Sequence, residues 1–254
     1  MTVDQAQNSN PNQTLANNSA EICFHSRFFQ RLERRYQADL TLLPPGVPQK
    51  EQMLECWQAL LKKAYEPSQA VRVLRQLVMH RLIRLECELQ VNLDIVTKTV
   101  TQLAEFTLCR ALEQAYLQLD ARHGAPIKPD GERSQLWVIG MGKLGGRELN
   151  VSSDIDLVFL YEEDGDTQGG IKSISNHEWY ERLGKKVIAL LSEVKPEGFV
   201  FRVDMRLRPN GDSGPLVCSL AMLEEYFSVQ GREWERYAWI KGRMIYPTET
   251  GSTY

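Results

Sequence analysis

Gly140-Met-Gly-Lys-Leu-Gly-Gly-Arg-Glu-Leu-Asn-Val-Ser-Ser-Asp-Ile-Asp156 decides how this chain is read. Leu136-Trp-Val-Ile139 precedes it, a short apolar run that signals a buried strand. Asp156-Leu-Val-Phe-Leu-Tyr161 follows and reads as a second strand. Two explanations compete for the glycines in between. Gly140, Gly142 and Gly145 match the G-x-G-x-x-G fingerprint of a dinucleotide site placed directly after a strand. That fingerprint needs a helix, with a crossover of about a dozen residues or more before the next parallel strand. Asp154 stands nine residues after Gly145, so no helix of useful length fits and the context fails.

The second explanation starts from Asp154 and Asp156. Two residues apart on a strand, their side chains share one face. Paired carboxylates on one face suit hard cations such as Mg²⁺, which take oxygen ligands. Two such ions can activate an attacking oxygen and stabilise a leaving one in an in-line displacement. A third carboxylate is expected from a neighbouring strand. Asp204, within Phe201-Arg-Val-Asp-Met-Arg-Leu-Arg-Pro209, is the candidate. Phe199 to Arg208 alternates as a strand should, which would put Arg206 and Arg208 on the face of Asp204. Guanidinium groups there suit phosphate oxygens. Taken alone, Asp-x-Asp is the mark of a capped turn or a solvated strand edge. Neither explains the glycine turn, the apolar strand and a second aspartate beside two arginines.

Outward from this centre, residues 1–20 are polar and rich in Asn and Gln and read as disordered. Residues 21–125 read as helical. Phe24, Phe28, Leu32 and Tyr36 fall at spacings of four, and Pro44-Pro-Gly-Val-Pro48 breaks the chain. A second helix is expected from Gln49 to Tyr65. A third follows Pro67, with Val71, Leu74, Val78, Leu82 and Leu85 on one stripe. A fourth starts near Asp94 as N-cap and ends at His123-Gly124, where glycine suits a left-handed cap. Ile127-Lys-Pro-Asp-Gly131 reads as a linker into a small mixed α/β domain over residues 126–218. In that domain Ser175 and Glu178 form a capping box for a helix through about Ser192. Ser219 caps a long amphipathic segment over residues 219–254 that carries Tyr226, Phe227, Trp234, Tyr237 and Trp239.

The 254-residue chain is 43% hydrophobic and 25% charged with a net charge of −3, which suits a soluble globular protein without a global basic field for nucleic acid. The cysteines at 23, 56, 87, 109 and 218 are scattered and odd in number, so they read as reduced packing residues. The start lacks the basic and apolar pattern of a signal peptide, and no apolar run nears the roughly 18 residues a membrane span needs. A cytoplasmic protein is expected, with no membrane or nucleic-acid partner.

The apolar strand, the glycine turn and an Asp-x-Asp separated from Lys143 by ten residues resemble the nucleotidyltransferase superfamily that includes DNA polymerase beta. Lys143 stands where that pattern has a small residue. The longer strings Gly140 to Phe159, Arg202 to Leu216 and Trp234 to Lys241 resemble the glutamine synthetase adenylyltransferase family, closely over roughly 136–245 and loosely in the helices before. The resemblance implies an α/β (α+β) architecture: a small mixed-sheet nucleotidyltransferase domain behind a helical region. It implies Asp154, Asp156 and Asp204 as catalytic metal ligands for a pair of Mg²⁺ ions. Gly142, Lys143, Arg206 and Arg208 would meet nucleotide phosphates. It implies phosphorolytic removal of AMP from a tyrosine of glutamine synthetase, releasing ADP, in the N-terminal of two catalytic domains. The C-terminal domain would add AMP from ATP. Because the chain stops at Tyr254, a truncated fragment is expected. A PII-type signalling protein and glutamine are the implied regulators. Arg147 departs from the small residue expected in the turn. The rival reading is a non-catalytic regulatory or docking module that keeps the fold. A nucleic-acid enzyme of the same fold is disfavoured by the acidic balance.

Overall fold

A computed structural model describes residues 25–247. The expectations for residues 1–20, for Cys23 and Phe24 and for the stretch beyond Pro247 lie outside the described residues.

Helix α1 (Arg27–Tyr36) buries Phe29, Leu32 and Tyr36, with Phe28 half-buried. Its inward face therefore steps by three and four, not by four throughout, as 3.6 residues per turn requires. Helix α2 (Lys50–Lys62) is followed by α3 (Pro67–Leu89), which begins with Pro67 in its first turn, where a missing N–H is harmless. The expected stripe from Val71 to Leu85 is buried, joined by Ala70, Val73 and Leu77. Helix α4 (Leu93–His123) is capped by Asn92, whose side chain accepts from the Asp94 amide. The cap is thus two residues earlier than expected, and Asp94 sits in the first turn near the positive end of the helix dipole. Gly124 ends α4 with φ +78° but an extended ψ. A Cβ there would lie 2.0 Å from the Gln168 carbonyl oxygen.

That close approach exists because β1 (Gly124–Pro126) pairs antiparallel with β4 (Thr167–Gly169). The following stretch is a folded turn, not the loose linker expected. Lys128 donates through its backbone to Glu132 and through its ammonium to Asp130 and Glu162.

The main sheet is built on β3 (Ile155–Tyr161). One edge pairs antiparallel with β2 (Leu136–Gly140) along its length, from Leu136 opposite Tyr161 to Gly140 opposite Leu157. The other edge is shared. Its start pairs in parallel with β5 (Val203–Asp204) and its end with β6 (Val217–Ser219). Strand β7 (Arg243–Tyr246) adds to the outer edge of β2. This strand was not expected from the sequence. Residues 219–241 are also not one long helix. Ser219 caps α7 (Leu220–Val229), the chain breaks at Gln230-Gly231, and α8 (Glu233–Ala238) follows. Both Gln230 and Gly231 donate to the Tyr226 carbonyl, which closes α7 and turns the chain.

Helices α4 and α6 (Asn176–Ser192) pack together against one sheet face. Ser175 caps α6 by accepting from the Glu178 amide. Val138, Leu157, Phe159 and Val217 join these helices in a continuous core that extends back to α1. The alternate residues Val158, Leu160 and Cys218 form a smaller cluster on the opposite face, covered by Leu223, Ala238 and Trp239. Cys56, Cys109 and Cys218 are buried and free, and burial pushes their thiols up to about 12, 12 and 11.

The glycines that mimic a dinucleotide fingerprint have a packing role. A Cβ on Gly140 would lie 2.3 Å from Ile245 Cδ1, and one on Gly145 would lie 1.8 Å from the Lys241 carbonyl oxygen. The turn connects antiparallel strands, so no crossover exists. We expect Gly145→Ala to lower stability by roughly 2 kcal/mol or more, a fall in Tm of several degrees by thermal melting, because the obstacle is backbone and cannot step aside.

Candidate active site

Strand β2 ends in a tight turn. Met141 donates its amide to the Asp156 carbonyl at 2.9 Å, which fixes the turn to the start of β3. Residues Gly142–Gly145 make a single helical turn, α5. Gly142 has φ +53°, and a Cβ there would lie 3.1 Å from Asp156 Oδ2. The glycine turn therefore stands directly against the Asp156 carboxylate. Lys143 is exposed beside it.

Asp156 opposes Asp204 in the parallel register of β3 and β5. Asp154 stands one residue before β3, where Ile155 donates to the Arg202 carbonyl. By the two-residue period, Asp156 shares the sheet face of Val158 and Leu160, the face covered by α7, α8 and Trp239. Burial first, then the Asp204 and Asp154 carboxylates, push the Asp156 carboxyl above the usual aspartate range. Asp204 moves the other way. Arg206 donates to it from its backbone at 2.8 Å and from Nε at 2.9 and 3.0 Å, which holds its carboxyl low. Of the two facing carboxyls, Asp156 is the one that protonates first.

The expected strand from Phe199 to Arg208 is only two residues long. After Asp204 the chain curls back, because the Asp204 carboxylate accepts the Arg206 amide as an Asx turn does. Arg206 and Arg208 therefore do not line a strand face with Asp204. Arg206 is exposed and lies on Asp204. Arg208 is largely buried, and its Nη1 donates to the Met205 carbonyl at 2.8 Å.

Among the described residues, no three Asp, Glu, His or Cys side chains are grouped as a ready-made cation cage. Asp154 is turned onto Arg202, with Nε to Oδ1 at 2.5 Å, and Asp204 onto Arg206. The donor set nonetheless fits a hard divalent ion: carboxylate oxygens on adjacent strands, next to a glycine turn that leaves room above Asp156. A metal would displace Arg202 from Asp154, an exposed and weakly held pair, and would compete with Arg206 for the largely covered Asp204.

Three supports of the turn escaped the sequence reading. Arg243 on β7 donates to the Gly145 and Leu144 carbonyls at 3.0 Å and to Glu105 on α4 at 2.5 Å. Lys241 pairs with Glu148, and Leu149 donates to Thr101 on α4. Arg243 follows Ile240-Lys-Gly242, and nothing in that local sequence signals that it reaches carbonyls a hundred residues away. Arg147 completes the turn with φ +58°, a left-handed position that favours glycine.

Fold and site together define a nucleotidyltransferase-like α/β domain behind a layer of N-terminal helices. The chain belongs to the glutamate-ammonia ligase adenylyltransferase family, whose profile matches residues 17–253. A relative from Chromobacterium violaceum is 51% identical over 240 residues, 91% of this chain and 26% of that protein. One from Ralstonia nicotianae is 56% identical over 196 residues, 75% of this chain and 20% of that protein. One from Burkholderia mallei is 66% identical over 151 residues, 59% of this chain and 16% of that protein. Each is named a bifunctional glutamine synthetase adenylyltransferase/adenylyl-removing enzyme. The chain spans about a quarter or less of their length.

Two outcomes test this geometry. Arg147→Gly should raise stability by about 1 kcal/mol or less, since relief of the left-handed penalty is partly offset by chain entropy in the unfolded state. Asp156→Asn should raise Tm in chelator-treated buffer at neutral pH. The folded Asp156 pKa is raised, so its ionised form costs stability only above the usual aspartate pKa. The gain should therefore vanish below about pH 4, where the carboxyl is protonated in both states. Melting curves of both proteins across pH 3 to 8, roughly the span on either side of that pKa, measure it.

Proposed function

We propose that this chain carries a metal-dependent adenylyl transfer centre that removes AMP from adenylylated glutamine synthetase by phosphorolysis. The observation that carries the reading is the packing of Gly142 against Asp156, with Asp204 opposite and Asp154 beside it. The names of the relatives supply the substrate class. Asp154, Asp156 and Asp204 would hold two Mg²⁺ ions, which when bound supply charge neutralisation at the attacking and leaving oxygens.

The chain's own groups do the rest. The glycine turn lets the phosphates of AMP and of the incoming phosphate approach Asp156 closely. Lys143 and Arg206, both exposed at the site, meet phosphate oxygens as charge-assisted donors. Arg208 holds the loop behind Asp204 through the Met205 carbonyl. A phosphate oxygen attacks the adenylyl phosphorus, the bond to the tyrosine oxygen breaks, and ADP and the free tyrosine leave. A second catalytic domain in the same enzyme would add AMP from ATP, and a PII-type signalling protein would regulate both. A cytoplasmic location follows from that role. Among the described residues, no helix is long and apolar enough to cross a membrane.

The test incubates the purified protein with glutamine synthetase labelled in its AMP group, phosphate and Mg²⁺. Labelled ADP is expected, with loss of label from the protein. Retention of all label would favour a non-catalytic docking module. Asp156→Asn barely changes volume but removes a metal-holding charge. It should cut turnover by about 10³-fold or more with the fold intact by circular dichroism.

A further inference from the structure

Beside the carboxylates, towards α3, lies a cavity of about 310 Å³ that the chemistry above does not use. Its lining includes Arg75, Arg202, Ser152, Ser153 and Phe199. The Arg75 guanidinium lies 5.4 Å from the Phe199 ring centroid and 5.5 Å from that of Phe201. Arg202 lies on the same Phe199 ring at 5.8 Å. Two cations thus share one aromatic platform.

Their remaining partners differ. Arg202 gives Nε to Asp154 and Nη2 to the Ser152 carbonyl at 2.6 Å. Arg75 faces no carboxylate among the described residues, and its Nε is buried without an acceptor. Burial, and secondarily the charge of Arg202, pull the Arg75 pKa down. A guanidinium has five donors and cannot shed its proton at ordinary pH. A buried donor without an acceptor and two like charges on one ring are both unfavourable. A multivalent oxyanion relieves both at once. The aromatic faces hold the guanidinium forks in place, which suits the bidentate geometry of phosphate.

We propose that this cavity is an oxyanion subsite that takes inorganic phosphate, with Arg75 and Arg202 as binding residues and the Ser152 and Ser153 hydroxyls as further donors. Its existence stands on the cavity. Its role rests on the phosphorolysis reading: Arg202 lies between the cavity and Asp154, and a metal on Asp154 would free its guanidinium for the phosphate consumed at the carboxylates.

Arginine footprinting with phenylglyoxal, mapped by peptide mass, tests the site on the unsubstituted protein. Phosphate should slow modification of Arg75 and Arg202 relative to chloride at equal ionic strength, while the exposed Arg147 reacts unchanged. Equal rates in both salts overturn the proposal. So does protection by AMP or ADP without protection by phosphate, which would make the cavity a nucleotide site. Calorimetric titration with inorganic phosphate gives the second arm. Arg75→Met should weaken Kd about tenfold or more, and Arg75→Lys, which keeps charge but loses the fork, should fall between. An unchanged Kd in a folded Arg75→Met protein overturns the assignment. If that protein does not fold, the footprint decides. In the removal assay Arg75→Lys should raise the phosphate KM and leave kcat near its original value. Absence of any removal by the unsubstituted protein counts against the proposed function, while the footprint still reports on the subsite.

Discussion

The Lys241 carbonyl lies so close to Gly145 that no side chain could stand between them. This contact ties the glycine turn to the segment that returns from α8, and the rest of the site depends on it. Strand β7 brings Arg243 to the open carbonyls at the end of the turn, and Arg243 reaches on to Glu105 in α4. The turn is therefore gripped from both sides of the sheet. Its backbone in turn sets the height of Gly142 above Asp156. Support of this kind leaves Gly142 little freedom to move relative to the carboxylate below it.

Around that turn, charge is arranged in opposing pairs. Three aspartates crowd the start of β3 and β5, and each flanking one is answered by an arginine, Arg202 for Asp154 and Arg206 for Asp204. Asp156, the more buried carboxylate, has no such arginine among the described residues and takes the pKa rise. The Asp154 pair is exposed, whereas Asp204 is largely covered and held by several bonds from Arg206.

Much of this was legible in the sequence. The apolar runs of β2 and β3, the stripe of α3 and the cap of α6 follow from spacing and residue type within each segment, which need no knowledge of what the segment packs against. The failure of the dinucleotide reading was legible too, since nine residues cannot hold a crossover helix. Strand β5 was overread: alternation from Phe199 to Arg208 is real, but the Asp204 side chain captures the Arg206 amide and bends the backbone. Strand β7 was missed because Arg243-Met-Ile-Tyr246 is short, and its strand character comes from Ile245 filling the space above Gly140. Arg75 gave no sign in sequence either. Only the fold brings Phe199 and Phe201 to it.

The pairing of Val138 with Tyr246 has a consequence for how the chain is made. Helices α1 to α4 draw on neighbours in sequence and can assemble early during synthesis. Strand β2 then waits for its outer partner until almost every other described residue has been translated. Contacts of such long range close late and slowly. On the ribosome, the glycine turn is consequently among the last parts to become firm. A nascent chain halted before β7 emerges would hold its helices and a half-built sheet, with the loop above Asp156 still slack.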